Sequence, residues 1–261
     1  MGKNKNKIST SEEFLKSLLE SQTLLSQQES NLKAVKSKIE KPLRSRLDDD
    51  VNFYFGGSIE KDTALKERLD LNVVVYWPMS AEKDSIMVYE ELGKAVEKNW
   101  RRTAPKELGY EVEFKANFHL DVIPAILIDQ EQKYADFFNA TLDDTINTSI
   151  ELQEEMIKYE KRSAIIKLMK LWVLRKEVPI NSFVLELMII EACKGLNRND
   201  LEKQIIQSLE YIEKNIVPLE IMDPANPRND ISHLVKPDER EGIKELTLEA
   251  LEEKTWNKLF K

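Results

Sequence analysis

One stretch of this sequence limits the fold more than any other: Phe55–Trp77, in which Gly56-Gly57-Ser58 is followed by a polar run and then by Leu69-Asp70-Leu71-Asn72-Val73-Val74-Val75-Tyr76-Trp77. It reads as a glycine turn after a strand, a short polar helix, and a second strand headed by two oxygen-bearing side chains. Adjacent glycines let the backbone approach a ligand with no Cβ in the way, and Ser58 brings a hydroxyl and a backbone N–H suited to a phosphate oxygen. Side chains alternate along a strand, so Asp70 and Asn72 point to one side and can share one metal centre. The apolar run from Val73 is continuous. Such a strand is buried on both faces, which calls for helices to cover it.

The rest of the chain supplies those layers. Strands are predicted at Val51–Phe55, Leu69–Tyr76, Tyr110–Phe114 and Phe118–Leu127, with a helix over Asp84–Trp100 that offers Ile86, Val88, Tyr89, Leu92, Val96 and Trp100 for packing. Polar turns are expected at Asp48–Asp50 and Lys115–Asn117, and residues 134–147 form a connector of undefined structure. Ser9–Arg46 is helical in pattern, with Ser9, Thr10 or Ser11 as N-cap, a polar interruption at Ser26–Asn31 and a break at Pro42. From Ser149 onward the pattern is almost wholly helical. Ile150–Lys176 reads as one helix with a core stripe of Ile165, Leu168, Met169 and Trp172, while Lys170, flanked by Ile166 and Leu174, extends toward a cleft. Lys244–Phe260 closes the chain as a charged amphipathic helix. The fold class is α+β: a mixed sheet flanked by helices in residues 1–148, with a long N-terminal helix, then a helical lobe in 149–261. A chain of 261 residues can bury two such cores.

Charge and cysteine usage narrow the partners. The net charge is −8 and the pI about 5.2, so the surface as a whole repels a long duplex and any nucleic acid needs a local basic groove. Lys33, Lys36, Lys38, Lys41, Arg44 and Arg46 form the one basic run of note, a solvated face first and a nucleotide- or strand-binding rim second. Cys193, the single cysteine, reads as a small core residue; with only His119 and His233 beside it, no zinc site is expected. No apolar run reaches the roughly 18 residues of a membrane span, and the first residues lack a signal-peptide pattern, so no membrane association and a cytoplasmic location are expected. Gly2 is not read as a myristoylation site, because Asn6 stands where Ser or Thr is needed.

A further strand carries His119-Leu120-Asp121-Val122-Ile123-Pro124-Ala125. A carboxylate in mid-strand is costly to bury alone, and its apolar neighbours offer nothing, so Asp121 needs a cation, either a metal or a salt-bridge partner. His119 shares its face and reads as a satisfied histidine rather than a ligand, since a hard divalent cation prefers oxygen.

Gly56-Gly57-Ser58, then Lys61, Thr63 and Asp70-Leu71-Asn72, resembles the signature of the polymerase-beta-like nucleotidyltransferases. The likeness is closest to the branch of oligoadenylate synthetases and cyclic-dinucleotide synthases (CD-NTases), with CCA-adding enzymes more distant. Asp121-Val122-Ile123-Pro124-Ala125 is similar to the Asp-Val-x-Pro-Ala motif of that branch. The resemblance implies that Gly57, Ser58, Lys61 and Thr63 bind the nucleotide, and that Asp70, position 72 and Asp121 are the catalytic ligands of two Mg²⁺ ions, with Mn²⁺ as a substitute. It also gives Asp121 a share in activating the attacking hydroxyl. Leu168–Trp172 and Ile180–Leu187 continue the likeness and imply that Lys170 and Ser182 contact the triphosphate while Phe183 stacks on the base. Ser182 as a helix N-cap and Phe183 as core are structural readings compatible with those roles. Met222–Asp230 resembles a late Asp-Pro-x-x-Pro motif and is given structural weight only. The likeness runs from Val51 to Asp230.

What the resemblance implies is template-independent, metal-dependent nucleotidyl transfer from NTPs or dNTPs. Its product is a short oligonucleotide or cyclic nucleotide signal, in bacterial antiviral defence, with a single-stranded oligonucleotide as product or acceptor and an effector protein as a further partner. Asn72 stands where the family has its second aspartate, and the lost charge implies severely reduced activity. Two origins fit: a substitution that traps substrate, or a natural pseudoenzyme that senses nucleotide; retention of Asp70, Asp121, Ser58 and Lys170 favours the first. Two other functions stay open, nucleotide addition to a nucleic-acid 3′ end using the Lys33–Arg46 rim, and a catalytically silent nucleotide-binding module.

Overall fold

The computed structural model describes residues 5–24, 26–47, 50–115, 118–131 and 133–261, without the side chains of 5–10, 26–33 and 114–115. The expected turns at Asp48–Asp50 and Lys115–Asn117 fall partly outside these residues, as do Gly2 and the side chain of Lys33. Two strands organise the sheet: β2 (Leu69–Pro78) and β5 (Phe118–Asp129) run parallel, in register from Leu69↔Phe118 to Pro78↔Leu127. A parallel pair needs a crossover. It consists of α3 (Ser85–Asn99), begun by Asp84 accepting the Met87 N–H, and the short strands β3 (Thr103–Pro105) and β4 (Tyr110–Lys115). β1 (Asn52–Gly57) flanks β2 antiparallel, and the order is β1-β2-β5-β4-β3, with β6 (Tyr134–Asn139) on β5 and β7 (Asp144–Thr148) on β6.

Alternation divides the two central strands between two environments. Leu69, Leu71, Val73, Val75 and Trp77 of β2, with Phe118, Leu120, Val122 and Ile126 of β5, join one core with Val35, Ile39 and Leu43 of α2 (Ser26–Arg44) and Val88, Leu92 and Val96 of α3. On the opposite face Val74, Tyr76, Ile123 and Ala125 pack with Ala135, Phe137 and Ile150. Burying each large apolar side chain contributes about 1.5–3 kcal/mol, so these two layers fix the register of the sheet. The leading half of that second face carries Asp70, Asn72, His119 and Asp121 instead, all partly exposed.

The chain forms two compact units: residues 24–155 with 224–226, and residues 1–23 with 156–223 and 227–261. The second is helical. It holds α1 (Lys5–Ser21), the end of α4 (Ile150–Tyr159), α5 (Ser163–Arg175), α6 (Ser182–Ala192), α7 (Leu201–Asn215), α8 (Pro237–Glu252) and α9 (Trp256–Leu259). Its core includes Ile165, Leu168, Met169 and Trp172 of α5, the stripe expected from the sequence, with Leu185, Ile189, Ile205 and Leu209 also buried. Cys193 is buried there as a core residue. The Asp223 segment opens a loop closed by the Met222↔Asp230 bridge, with the Asp223 N–H donating to Asn229 O at 2.9 Å.

Several expectations are corrected. Residues 58–68 contain no helix; the run closes as turns, with Asp62 left-handed at φ 57° and the Thr63 N–H donating to Ser58 O at 2.7 Å. α1 begins at Lys5, upstream of Ser9, Thr10 and Ser11. Ser26–Asn31 lies within α2, which continues through Pro42 to Arg44. Residues 134–147 are mostly a β-hairpin, β6 and β7, paired from Ala135↔Thr148 to Asn139↔Asp144. The helix expected over Ile150–Lys176 is two helices, broken where Lys161 adopts φ 54°. Ile86 is exposed. The final helical segment starts at Pro237.

Candidate active site

The glycine turn is built onto the head of β2. Gly57 has φ +101°, and a Cβ there would sit 2.7 Å from the Asp70 carbonyl oxygen, so only glycine suits the position. Ser58 is nearly fully buried, and both its donors, backbone N–H at 3.2 Å and hydroxyl at 3.0 Å, end on that same carbonyl. The sequence suggested that they face a phosphate; here they fasten the turn to the strand. Lys61 and Thr63 are buried in the turn as well.

A residue that the sequence reading missed completes it. Glu154 of α4 accepts the Gly57 N–H at 2.6 Å through Oε1 and the Tyr54 hydroxyl at 2.7 Å through Oε2. Burial pushes its carboxyl above the ordinary range, against the opposing pull of Tyr54, Gly57 and Lys61. No spacing rule links residues 97 apart. Its only signal is an acid set between Ile150 and Ile157 on the buried side of α4.

The carboxylate face follows from register. Asn72 of β2 pairs with Asp121 of β5, and Asp121 pairs with Glu111 of β4, so the three lie in one row across three strands; Asp70 and His119 form the row beside it. Directly paired residues project to the same face, so Asp70, Asn72 and Asp121 do come together as their sequence pattern suggests. Asp121 has found a cation: Lys106 Nζ lies 2.9 and 3.2 Å from its two oxygens and 3.6 Å from Glu111 Oε2. Burial raises the Asp121 carboxyl, Lys106 opposes the rise, and Glu111 and Asp70 add to it. Glu111 is also pushed up by burial, but Lys106 and His119, whose Nδ1 is 3.3 Å from Glu111 Oε1, outweigh that and hold it below its usual range. Arg68 Nε pairs with Asp70 Oδ1 at 3.0 Å. Glu111 escaped the sequence reading because β-register delivers it, and Lys106 because the β3–β4 loop does. The alternating acids of Tyr110-Glu111-Val112-Glu113 were the available sign.

Two carboxylates and an amide oxygen suit a hard divalent cation by donor type. Among the described residues no three His, Cys, Asp or Glu side chains converge for a metal. Asn72 supplies an amide at the point where the resemblance calls for a third carboxylate.

The remaining predicted residues lie in the helical unit. Lys170, expected to reach toward a cleft, is buried with Nζ 2.8 Å from Oε1 of the fully buried Glu186. Removing one partner of such a pair costs about 3–5 kcal/mol, so Lys170 also serves the helical core. Ser182 is exposed and Phe183 partly buried at the start of α6. The cap there is Asn181, not Ser182: its side chain accepts the N–H of Phe183 at 2.8 Å and of Val184 at 3.3 Å. The basic run is partly engaged, with Lys36 5.0 Å from the Phe55 ring centroid, Arg44 over Phe53 at 4.9 Å, and Arg44 donating to Val51 O at 2.9 Å.

No family model and no curated protein matches the chain. Solved structures do match. The E. coli MS115-1 CdnC structure with ATP has a TM-score of 0.70 at 18% identity, over 92% of this chain and 90% of that one. Vibrio cholerae DncV cyclic AMP-GMP synthase, in complex with the linear intermediate 5′ pppA(3′,5′)pG, has a TM-score of 0.72 at 14% identity, over 90% and 86%. The Bradyrhizobium diazoefficiens CD-NTase CdnG, in complex with GTP, has a TM-score of 0.67 at 14% identity, over 93% and 92%. This chain has the CD-NTase fold. Identities this low carry the fold alone, and within the CD-NTase fold the glycine turn and the Asp70–Asn72–Asp121 face belong to the sheet unit. No helix among the described residues is long and apolar enough to cross a membrane.

Proposed function

We propose that the chain is a nucleotidyltransferase scaffold that uses NTPs or dNTPs to make a short oligonucleotide or cyclic nucleotide signal, and that Asn72 leaves it severely impaired. The observation that carries this is the register pair Asn72↔Asp121 beside Asp70, on one polar half-face next to the Gly57–Ser58 turn, in a chain of CD-NTase fold. The three fold neighbours described above were solved with ATP, GTP or a linear dinucleotide intermediate, which supports a nucleotide as substrate. Asp70 and Asp121, with the Asn72 amide, are the residues that would hold Mg²⁺ or Mn²⁺. When bound, such an ion supplies charge neutralisation at the triphosphate and lowers the pKa of an attacking hydroxyl. Asp121 orients that hydroxyl and takes its proton. Gly57, Ser58, Lys61 and Thr63 shape the turn that receives the phosphates. Lys170, Ser182 and Phe183 keep, as part of this proposal, the phosphate and base contacts that the family resemblance implies. A role for the product in bacterial antiviral defence, with an effector protein as its reader, belongs to the same proposal.

Asn72 keeps an oxygen but no negative charge, and metal-derived stabilisation of this kind is worth several kcal/mol, so the chain as it stands loses about three powers of ten or more in rate. The test is product analysis by mass spectrometry and pyrophosphate release for the chain, Asn72→Asp, and Asn72→Asp combined with Asp121→Asn, with all NTPs and dNTPs and Mg²⁺ or Mn²⁺. Products from Asn72→Asp alone are expected. Silence of Asn72→Asp with nucleotide still bound overturns the signal-making reading and leaves 3′-end addition, which an added single-stranded acceptor tests, and then the silent binding module, which the cation partners of Asp70 and Asp121 favour.

A further inference from the structure

The turn that the proposed function assigns to the phosphates is fastened to β2 at Ser58, but the Gly57 N–H that leads into it is held from another element. Gly57 pays no steric cost at φ +101°, but the same freedom leaves many other conformations open to it. Its N–H points away from the β1–β2 ladder toward α4, where it meets a carboxylate that is 4% exposed. The second oxygen of that carboxylate accepts the Tyr54 hydroxyl from β1, three residues upstream of Gly57, so one side chain clamps both the strand and the turn that leaves it. A Cβ at Gly56 would collide with the same carboxylate, so the glycine pair and the acid fit one another sterically.

Resting on the reading above, we infer that Glu154 is the positioning residue of the nucleotide site: by accepting the Gly57 N–H and the Tyr54 hydroxyl it holds the Gly57–Ser58 turn in the one conformation that meets a polyphosphate. It acts by geometry through Gly57, and an isosteric acceptor serves in its place. Gln preserves this: its amide oxygen accepts the Gly57 N–H, while its NH₂ donates to a Tyr54 hydroxyl that can turn from donor to acceptor. Ala removes both acceptors and leaves a buried N–H unpaired. Leaving a buried donor unpaired costs about 1–3 kcal/mol, equivalent to roughly five- to more than a hundredfold.

The experiment uses the full chain, Glu154→Ala and Glu154→Gln, with two readouts: amide hydrogen exchange resolved at Gly57, and Mg²⁺–ATP and Mg²⁺–GTP affinity by calorimetric titration. Glu154→Ala is expected to speed Gly57 exchange and weaken nucleotide binding by about tenfold or more, while Glu154→Gln stays within about threefold of the parent on both. Unchanged Gly57 exchange in a folded Glu154→Ala overturns the inference whether or not nucleotide binds. Equal losses in Glu154→Gln and Glu154→Ala overturn it too, because charge rather than geometry then does the work. If no form binds nucleotide while Gly57 exchange responds as expected, the clamp stands and it is the assignment of the turn to nucleotide that fails.

Discussion

The two faces of β2 and β5 are built from the same two strands and differ only in whether a residue number is odd or even. On one face Leu71, Val73, Trp77, Leu120 and Val122 are sealed by α2 and α3. On the other, one residue away in each case, Asp70, Asn72 and Asp121 stand partly open, with Asp70 paired to Arg68 just ahead of β2 and Asp121 to Lys106 from the loop before β4. A fully apolar face makes the polar face affordable: register is set by the first, so the second can hold groups that add little to stability.

That contrast predicts unequal responses to substitution. The largest is on the sealed face, where Trp77→Ala, at a position with no exposure, is expected to cost about 3–5 kcal/mol in urea unfolding. Asp70→Asn, at the other end of β2 on the open face, is expected to stay within about 0.5 kcal/mol; a loss comparable to Trp77→Ala erases the distinction between the faces. Gly57→Ala falls between them at about 1–3 kcal/mol, because it forces a left-handed φ and a contact on the Asp70 carbonyl, and thermal denaturation reads it directly. Lys106→Met sharpens the comparison at its weak end. The ammonium is well exposed, so stability is expected to move by less than about 1 kcal/mol. The Asp121 carboxyl, freed of its opposing cation, is expected to rise further from its ordinary value in a carbon-detected NMR titration. The smallest effect is one of pH. The Glu154 carboxyl is raised in the folded chain, so the stability it contributes is fully present below its ordinary 4.5 and is lost as pH rises through the folded value. Glu154→Gln cannot ionise, so its urea midpoint is expected to gain on the parent between pH 4 and pH 7; a gap independent of pH contradicts the raised carboxyl.

Much of this was legible in the residues. Strand alternation placed Asp70 and Asn72 on one side, and the apolar run after them announced two covered faces. The family motifs then paired them with Asp121, and the helical stripe of α5 was read correctly. Partners set by register or by distant contact were not legible. Lys106 reaches Asp121 because β4 and its loop lie beside β5, and Glu154 reaches Gly57 from 97 residues away. Local sequence carries neither fact. The polar run after Ser58 looked helical because its composition is helical, yet the need to return Thr63 to the Ser58 carbonyl closes it as turns. The β6–β7 hairpin escaped notice because Tyr134–Thr148 mixes acids and amides with its aromatics, and β6 is joined to the sheet by β5, a partner that local sequence does not reveal.

The central claim is that Asp70, position 72 and Asp121 form one cation-binding centre lacking a single charge. The most direct test is Mn²⁺ titration followed by electron paramagnetic resonance on the chain, Asn72→Asp, and Asn72→Asp with Asp121→Asn. Restoring the charge is expected to tighten Mn²⁺ binding by about tenfold or more, and removing Asp121 to reverse that gain. Equal Mn²⁺ affinity in all three proteins contradicts the claim.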